Sequence, residues 1–95
     1  MKKLLVVVDY QKDFVDGSLG FSGAELLDAP IAAKIAAYHA ASDDVVFTLD
    51  THTPDYLSTQ EGRKLPAVHC VRGSVGWELY GETARAAREA DLRFE

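Results

Sequence analysis

Two apolar runs without polar alternation stand out along the chain, and each is followed by an aspartate. The runs span residues 4–8 (LLVVV) and 45–49 (VVFTL), and they lead into Asp9 and Asp50. A short run that is rich in β-branched residues and does not alternate is typical of a strand buried on both faces of a parallel sheet. We therefore predict a central strand over residues 4–8 and a neighbouring strand over residues 45–49.

A helix is predicted between these two strands. A segment rich in Gly and Ser over residues 17–23 first indicates a loop. Apolar residues then recur at helical spacing, at Leu27, Ile31, Ile35 and Tyr38. Asp28 is a candidate N-cap, so we predict a helix over residues 29–41. A strand, a helix and a second strand form a βαβ unit, in which the two strands are parallel.

The second half of the chain is less regular. Residues 51–77 show no sustained period and contain two prolines and three glycines, which indicates a long functional loop. Residues 82–89 are predicted to be helical, and residues 92–94 can begin a third strand.

These elements predict an α/β fold with a doubly wound parallel sheet that is incomplete in this chain. Such a sheet needs helices on both faces, and the chain offers two clear strands, one further candidate and two helices. We expect residues 1–95 to be the N-terminal part of a single domain, with no second domain. An unpaired edge on the first strand would be open to pairing with another chain, including a second copy.

Composition narrows the classes of partner and compartment. The chain has 95 residues and a formal net charge of −5, which argues against a nucleic-acid partner. The apolar run after Lys2 and Lys3 has only five residues, so we expect neither a signal peptide nor a membrane span. A single cysteine allows no internal disulfide, and we expect a cytoplasmic location.

A metal site is one interpretation of the residues that follow the second strand. Asp50 and His52 are two residues apart, so their side chains lie on the same side of an extended backbone, and His69 offers a third ligand. Three nitrogen and oxygen ligands with room for water are typical of a catalytic metal site. This spacing alone is a weak signal, because single histidines are more often surface or core residues. His39 has no partner at ligand spacing, and we expect it to be structural.

Asp9 and Cys70 are candidate catalytic residues with ordinary alternatives. Asp9 follows the first strand at the sheet edge where open α/β folds place their ligand crevice, but an aspartate there can also cap a turn. Cys70 follows His69, which invites a nucleophile hypothesis. Adjacent residues in extended backbone point to opposite sides, so we expect Cys70 to face away from the site and to pack in the core.

Three segments together resemble a known family. VVVDYQKDFVDGSLGF is similar to the opening of the isochorismatase-like cysteine hydrolases, whose first strand ends in D-x-Q-x-D-F. FTLDTHTPDYLS followed by LPAVHCVRGSVGWEL is similar to the nicotinamidase (pyrazinamidase) branch. The resemblance covers nearly the whole chain, and the order of the segments is more specific than any one of them.

The resemblance implies a three-layer α/β hydrolase with a triad of aspartate, lysine and a cysteine nucleophile. By that match Asp9 is the triad aspartate that activates the thiol. Phe14 corresponds to a ring that lines the substrate pocket. The implied metal ligands are Asp50, His52 and His69, with Glu61 as a candidate further ligand. The implied metal is one divalent ion, zinc in the first place and iron or manganese as alternatives.

The implied reaction is hydrolysis of a small heteroaromatic amide, nicotinamide to nicotinate plus ammonia. The family's lysine is expected at or beyond Glu95, and its nucleophilic cysteine later still, so the 95-residue chain alone is expected to be inactive. Two alternatives remain: an isochorismatase-like hydrolase of another substrate, and a truncated homologue that only binds a metal or a partner chain. Aspartate-based phosphatases are disfavoured, because Gln11 stands where they need a second aspartate.

Overall fold

The structure, a computed structural model that describes residues 2–95, contains a parallel sheet of three strands. They are β1 (Leu4–Val8), β2 (Asp44–Thr48) and β3 (Leu92–Phe94). Their order in the sheet is β1-β2-β3, and both pairs are parallel. This confirms the predicted α/β class with a partial parallel sheet and confirms the third strand. Because the order follows the sequence, β2 is central and β1 lies at the edge.

Four short helices and three 3-10 turns connect the strands. The helices are α1 (Lys12–Val15), α2 (Asp28–Ala40), α3 (Gln60–Lys64) and α4 (Gly81–Ala86). The 3-10 turns span Ala24–Leu27, Tyr56–Ser58 and Val75–Trp77. The α2 prediction was correct to one residue at each end. The predicted loop over residues 51–77 holds α3 and two of the turns, which are too short to show a period. Within residues 2–95, no helix has the length and apolar character needed to cross a membrane.

The helix α4 is shorter than predicted because the chain turns before residue 89. Ala87 already has an extended backbone, with ψ at 142°. The next amide, that of Arg88, donates to the Asp91 carboxylate over 2.9 Å. Asp91 thereby stabilises the turn that leads into β3.

The core lies between α2 and one face of the sheet. Val7, Val45 and Phe47 point into it from β1 and β2, and Ile35 reaches it from α2 with no exposed surface. Neighbouring strands place these side chains in one layer, because Val7 is paired with Phe47 in the parallel register. The alternation of buried and exposed residues along β1 therefore has a period of two.

The opposite face of the sheet is exposed, and the prediction that β1 is a central strand buried on both faces is wrong for this chain. Leu4, Val6 and Val8 are 58%, 46% and 67% exposed. Leu92 and Phe94 of β3 are also exposed, and the register aligns Val6 with Leu92 through β2. We call these five residues the open sheet face. The physical reason is that α2 covers only one face of the sheet. The apolar composition of β1 predicted burial on the other face as well, which would require a second layer of helices.

Asp28 does not cap its own helix, which corrects a second prediction. It is the first residue of α2, and the preceding Leu27 provides no side-chain cap. The Asp28 carboxylate instead accepts hydrogen bonds of 2.9 Å from the amides of Glu82 and Thr83 at the start of α4. Partial burial would raise the pKa of Asp28, but these amide hydrogen bonds, with Arg85 nearby, lower it below its ordinary value.

His39 has a structural partner that lies far away in the sequence. Its Nε2 atom is 3.0 Å from both carboxylate oxygens of Asp91, and the two side chains are only 7% and 9% exposed. The contact ties the C-terminal part of α2 to the turn before β3. His39 is therefore structural, as expected from its lack of a partner at ligand spacing.

Candidate metal centre

The carboxyl ends of β1 and β2 lie side by side and each leads into an acidic residue. Asp9 follows β1 with a positive φ of 49°, a conformation that costs energy in a residue other than glycine. Thr48 at the end of β2 stabilises it. Its hydroxyl accepts from the Asp9 amide over 3.0 Å and donates to Asp9 Oδ1 over 2.6 Å.

Backbone pairing brings the two halves of the long loop together next to Asp50. The His52 amide donates to the Cys70 carbonyl over 2.9 Å, and the Arg72 amide donates to the His52 carbonyl over 2.8 Å. These bonds form an isolated parallel bridge between His52 and Val71. His69 is thereby placed beside His52, although 17 positions separate them in the sequence.

Asp50, His52 and His69 converge on one point. The Nε2 atoms of His52 and His69 each lie 3.1 Å from Asp50 Oδ2. One ligand atom from each residue lies within 4.8 Å of the others. The structure thus brings together the three residues predicted as metal ligands, and we call this set of candidate ligands the metal cluster. The side chains are 30%, 15% and 3% exposed in sequence order, so the cluster opens towards solvent on the Asp50 side.

The orientation of His69 suits a ligand. Its Nδ1 atom is 2.7 Å from the Ala67 carbonyl, an acceptor, so Nδ1 carries the proton and donates it. In the tautomer with the proton on Nδ1, the lone pair is on Nε2, the atom that faces Asp50. Metal-binding histidines commonly donate their other ring N–H to a carbonyl or carboxylate in this way.

Two aromatic rings pack around the histidines. Phe14 lies edge-on to His69 with 5.5 Å between ring centroids, so the predicted pocket residue is beside the cluster. Tyr56 contacts His52 and His69 with centroid distances of 4.6 Å and 5.0 Å and is fully buried. Its hydroxyl donates to the Leu65 carbonyl over 2.8 Å. Burial, followed by the charges of Glu61 and Asp50, raises the pKa of Tyr56, so its hydroxyl stays protonated.

Glu61 lies beside the cluster on the side of His52. Its Oε2 atom is 3.2 Å from His52 Nε2, and its side chain is 57% exposed. The short helix α3 positions it, and Thr59 caps that helix by accepting a 3.0 Å hydrogen bond from the Gly62 amide. Glu61 is therefore within reach of the cluster without belonging to its closely packed set of three.

Cys70 is buried, free and strongly disfavoured as a thiolate. It has no exposed surface. Burial raises its pKa to about 12, and the charges of Asp50, Asp13 and Asp9 act in the same direction. Its φ is 49°, so the backbone is not extended and the predicted alternation with His69 does not apply here. Burial, and not the direction of the side chain, is what makes Cys70 a packing residue.

The donor set of the metal cluster fits a divalent transition metal. Two imidazole nitrogens and one carboxylate oxygen suit zinc, iron or manganese, and three protein ligands leave positions open for water or a substrate. A structural zinc site would usually recruit cysteines, and the one thiol of this chain is buried and held neutral. The residues present therefore fit a catalytic metal better than a structural one.

Several residues that shape the site were given no role by the sequence patterns, although Gln11 and Asp13 lie within the D-x-Q-x-D-F motif. Gln11 is fully buried and bonds to the backbone of Asp50, and Asp13 accepts from the amide of Cys70. Tyr56 and Thr48 support the histidines and Asp9 as described above. The partners lie in distant parts of the chain, so neither periodicity nor local spacing reveals these contacts.

The chain matches a known family model and a curated relative. The family model for the isochorismatase domain matches residues 3–94. The isochorismatase family protein PncA of Bacillus subtilis (strain 168) is 34% identical over 86 residues, which are 86% of this chain and 46% of that protein. The chain therefore spans about half the length of the curated relative that it matches.

Solved structures show the same fold. A nicotinamidase/pyrazinamidase PncA from Bacillus subtilis superposes with a TM-score of 0.84 at 27% identity, over 99% of this chain and 55% of that chain. A pyrazinamidase of Pyrococcus horikoshii in complex with zinc gives 0.81 at 25% identity, over 98% and 50%. An N-carbamoylsarcosine amidase from Thermoplasma acidophilum gives 0.79 at 29% identity, over 98% and 50%.

Proposed function

The chain belongs to the isochorismatase domain family, and on that premise we propose that it forms the metal-binding part of an amide hydrolase of the nicotinamidase type. The observation that carries the proposal is the convergence of two histidine Nε2 atoms on one oxygen of Asp50. The likeness to a pyrazinamidase in complex with zinc supports zinc as the metal. Iron and manganese accept the same donor set.

The proposed roles follow from the position of each group. Asp50, His52 and His69 would hold the ion, which supplies an electrophilic centre that can anchor a ring nitrogen of the substrate. Phe14, beside His69, would line the pocket for a flat ring. Asp9 would take the proton of the attacking thiol, and Thr48 holds one of its oxygens in place for that step.

Cys70 does not serve as the nucleophile in this proposal. Its burial and raised pKa keep it protonated, and a thiol attacks an amide as the thiolate. The attacking cysteine and the lysine of the triad would come from the other half of the domain. The chain alone is expected to bind metal and to leave amides intact.

The remaining features support a small-molecule substrate. The net charge of −5 disfavours nucleic acid, and the most exposed side chain of the metal cluster is the carboxylate of Asp50. The proposed location is the cytoplasm, with which a single free cysteine is compatible.

The metal site is tested by elemental analysis of the purified chain after exposure to zinc and removal of loosely bound ion. We expect one equivalent of zinc in the wild type and none in Asp50→Ala. Asp16→Ala, an exposed aspartate outside the cluster, is the matched control and should retain zinc. A wild-type chain that holds no more zinc than Asp50→Ala would overturn the proposed metal site.

The catalytic proposal is tested with a chimera in which this chain replaces the matching segment of the Bacillus subtilis nicotinamidase/pyrazinamidase. We expect ammonia release from nicotinamide that is lost in Asp9→Asn and unchanged in Cys70→Ser. Loss of activity in Cys70→Ser with zinc retained would reverse the assignment of that thiol as a packing residue.

A second candidate is hydrolysis of another small amide, and the likeness to an N-carbamoylsarcosine amidase favours it. The same chimera separates the two candidates. A folded, zinc-loaded chimera that releases ammonia from N-carbamoylsarcosine and leaves nicotinamide intact would establish the second candidate and reject the first.

A further inference from the structure

Gln11 holds the backbone of Asp50 with every polar atom of its side chain. Its Oε1 accepts from the Asp50 amide over 2.9 Å, and its Nε2 donates to the Asp50 carbonyl over 3.0 Å. The same Nε2 also donates to the Trp77 carbonyl over 2.7 Å. Gln11 has no exposed surface, so no water can replace these bonds. The side chain thus fixes both peptide groups of Asp50 and prevents the residue from turning away.

Asp13 holds the peptide that joins His69 to Cys70. Its Oδ2 accepts from the Cys70 amide over 2.7 Å. That peptide precedes a residue with a φ of 49°, which is unfavourable for a side chain larger than glycine and needs compensation. A hydrogen bond from an amide to a carboxylate is stronger than one to a neutral acceptor. Asp13 therefore stabilises the turn that directs His69 towards Asp50.

Gly76 leaves space for the Asp13 carboxylate to reach the Cys70 amide. A Cβ atom on Gly76 would lie 2.2 Å from both carboxylate oxygens of Asp13, far inside contact distance. The neighbouring Phe14 packs its ring against His69 from the same short helix, α1. One short segment thus provides three residues that contact Asp50, His69 or their adjoining peptides: Gln11, Asp13 and Phe14.

We propose that Gln11 and Asp13 are positioning residues of the metal cluster: Gln11 fixes Asp50 and Asp13 fixes His69. The proposal rests on the function proposed above for the cluster, because positioning has a chemical purpose only if these residues bind a metal. Partners of metal ligands commonly affect metal affinity by about 10- to 100-fold when they are removed. The segment that carries the proposed catalytic residue Asp9 would then also position the metal ligands.

The test measures zinc affinity of the 95-residue chain by competition with a chromophoric chelator. We expect Gln11→Glu, which keeps one acceptor but loses both donor bonds, and Asp13→Ala to bind zinc about 10- to 100-fold more weakly. Asp13→Asn keeps an acceptor oxygen and should restore most of the affinity. Gly76→Ala should resemble Asp13→Ala, because the added Cβ displaces the carboxylate.

Thr83→Val is the matched control, because it separates a general loss of stability from a loss of ligand positioning. Thr83 is also fully buried and hydrogen-bonded to another segment, through Asp28, but it does not contact the metal cluster. It should lose stability towards urea while its zinc affinity stays unchanged. If folded Gln11→Glu and Asp13→Ala bind zinc as the wild type does, the proposal is rejected.

Amide hydrogen exchange provides a second measurement that needs no metal. In the zinc-free chain, the Cys70 amide should exchange faster in Asp13→Ala, and the Asp50 amide should exchange faster in Gln11→Leu, which removes the acceptor of that amide. The amides of β2 should be unchanged in both variants. Unchanged exchange at both amides would overturn the positioning role whether or not the chain binds zinc. Faster exchange together with a wild-type chain that fails to bind zinc would uphold the positions and reject the metal function.

Discussion

Within residues 2–95, histidine and carboxylate side chains meet in two arrangements. The two differ in how many potential ligand atoms meet at one point. At the pair of His39 and Asp91, one nitrogen faces both oxygens of one carboxylate, which also accepts a backbone amide. In the metal cluster, two ring nitrogens share a single oxygen of Asp50. The first arrangement is a hydrogen-bonded pair of two side chains. The second brings three potential ligand atoms to one point, and this convergence supports the metal site proposed above.

Burial alone does not separate the two arrangements. His69 is 3% exposed and the side chain of His39 is 7% exposed. What differs is the number of convergent donors and the hydrogen bond at the far side of the ring, where Ala67 holds the proton of His69 on Nδ1. A buried histidine beside an acid is therefore a metal candidate only when a second nitrogen or a further acid shares the same point.

The largest expected effect comes from removing a nitrogen from the metal cluster. His69→Ala should weaken zinc binding by more than ~100-fold, beyond the usual effect of a residue that only supports a ligand. His39→Ala is the control and should bind zinc as the wild type does. Chelator competition measures both variants. Equal losses of zinc affinity in the two variants would contradict the distinction between the metal cluster and the pair of His39 and Asp91.

The next effect is on stability and belongs to the pair of His39 and Asp91. His39→Ala leaves the nearly buried Asp91 carboxylate without its side-chain partner, so we expect a loss of about 1–3 kcal/mol in the free energy of unfolding. Urea denaturation at neutral pH measures it. The double variant His39→Ala with Asp91→Ala should recover part of the loss, because no charge is then left unpaired. A double variant less stable than either single one would contradict this account.

Sequence patterns predicted where the strands and helices lie better than they predicted which side chains are buried. The bounds of β1 and the start of β3 were correct, because short apolar runs between polar residues define a strand locally. Burial of β1 on both faces was predicted wrongly, since Val6 and Val8 have the composition of a covered strand in a chain that covers one face. Composition reports the preference of a strand for burial, and only the tertiary arrangement decides whether it is met.

The metal cluster was predicted from two short motifs, but its supporting residues were not. Asp50 and His52 are close in sequence, and His69 was a candidate third ligand by residue type. The family resemblance then strengthened a signal that was weak on spacing alone. The partners of Gln11, Asp13 and His39 lie 39, 57 and 52 positions away. Contacts over such distances depend on how α1 and the loops pack, and a single sequence carries no periodic signal for them.

A smaller effect is expected at Asp28, whose carboxylate accepts hydrogen bonds from two backbone amides at the start of α4. Asp28→Ala should cost about 1–2 kcal/mol of stability, the usual range for a lost helix cap, and leave zinc affinity unchanged. Because its folded-state pKa is lowered, the ionised group stabilises the fold above its ordinary pKa of 3.8. This contribution is lost as the pH falls through the folded-state value. Acid titrations of wild type and Asp28→Asn, followed by circular dichroism, should therefore show different stabilities above that pH and converge below it, where the carboxyl is protonated.

The smallest effect is expected at Glu61, and it decides where the metal cluster ends. Its carboxylate is 3.2 Å from His52 Nε2 but 57% exposed, so solvent weakens its interaction with a bound cation. We expect Glu61→Gln to reduce zinc affinity by about two- to fivefold, in line with an exposed charge pair. The reduction should shrink at high salt, because screening acts on exposed charges. A loss as large as that of His69→Ala, and independent of salt, would instead make Glu61 a fourth ligand and extend the cluster across α3.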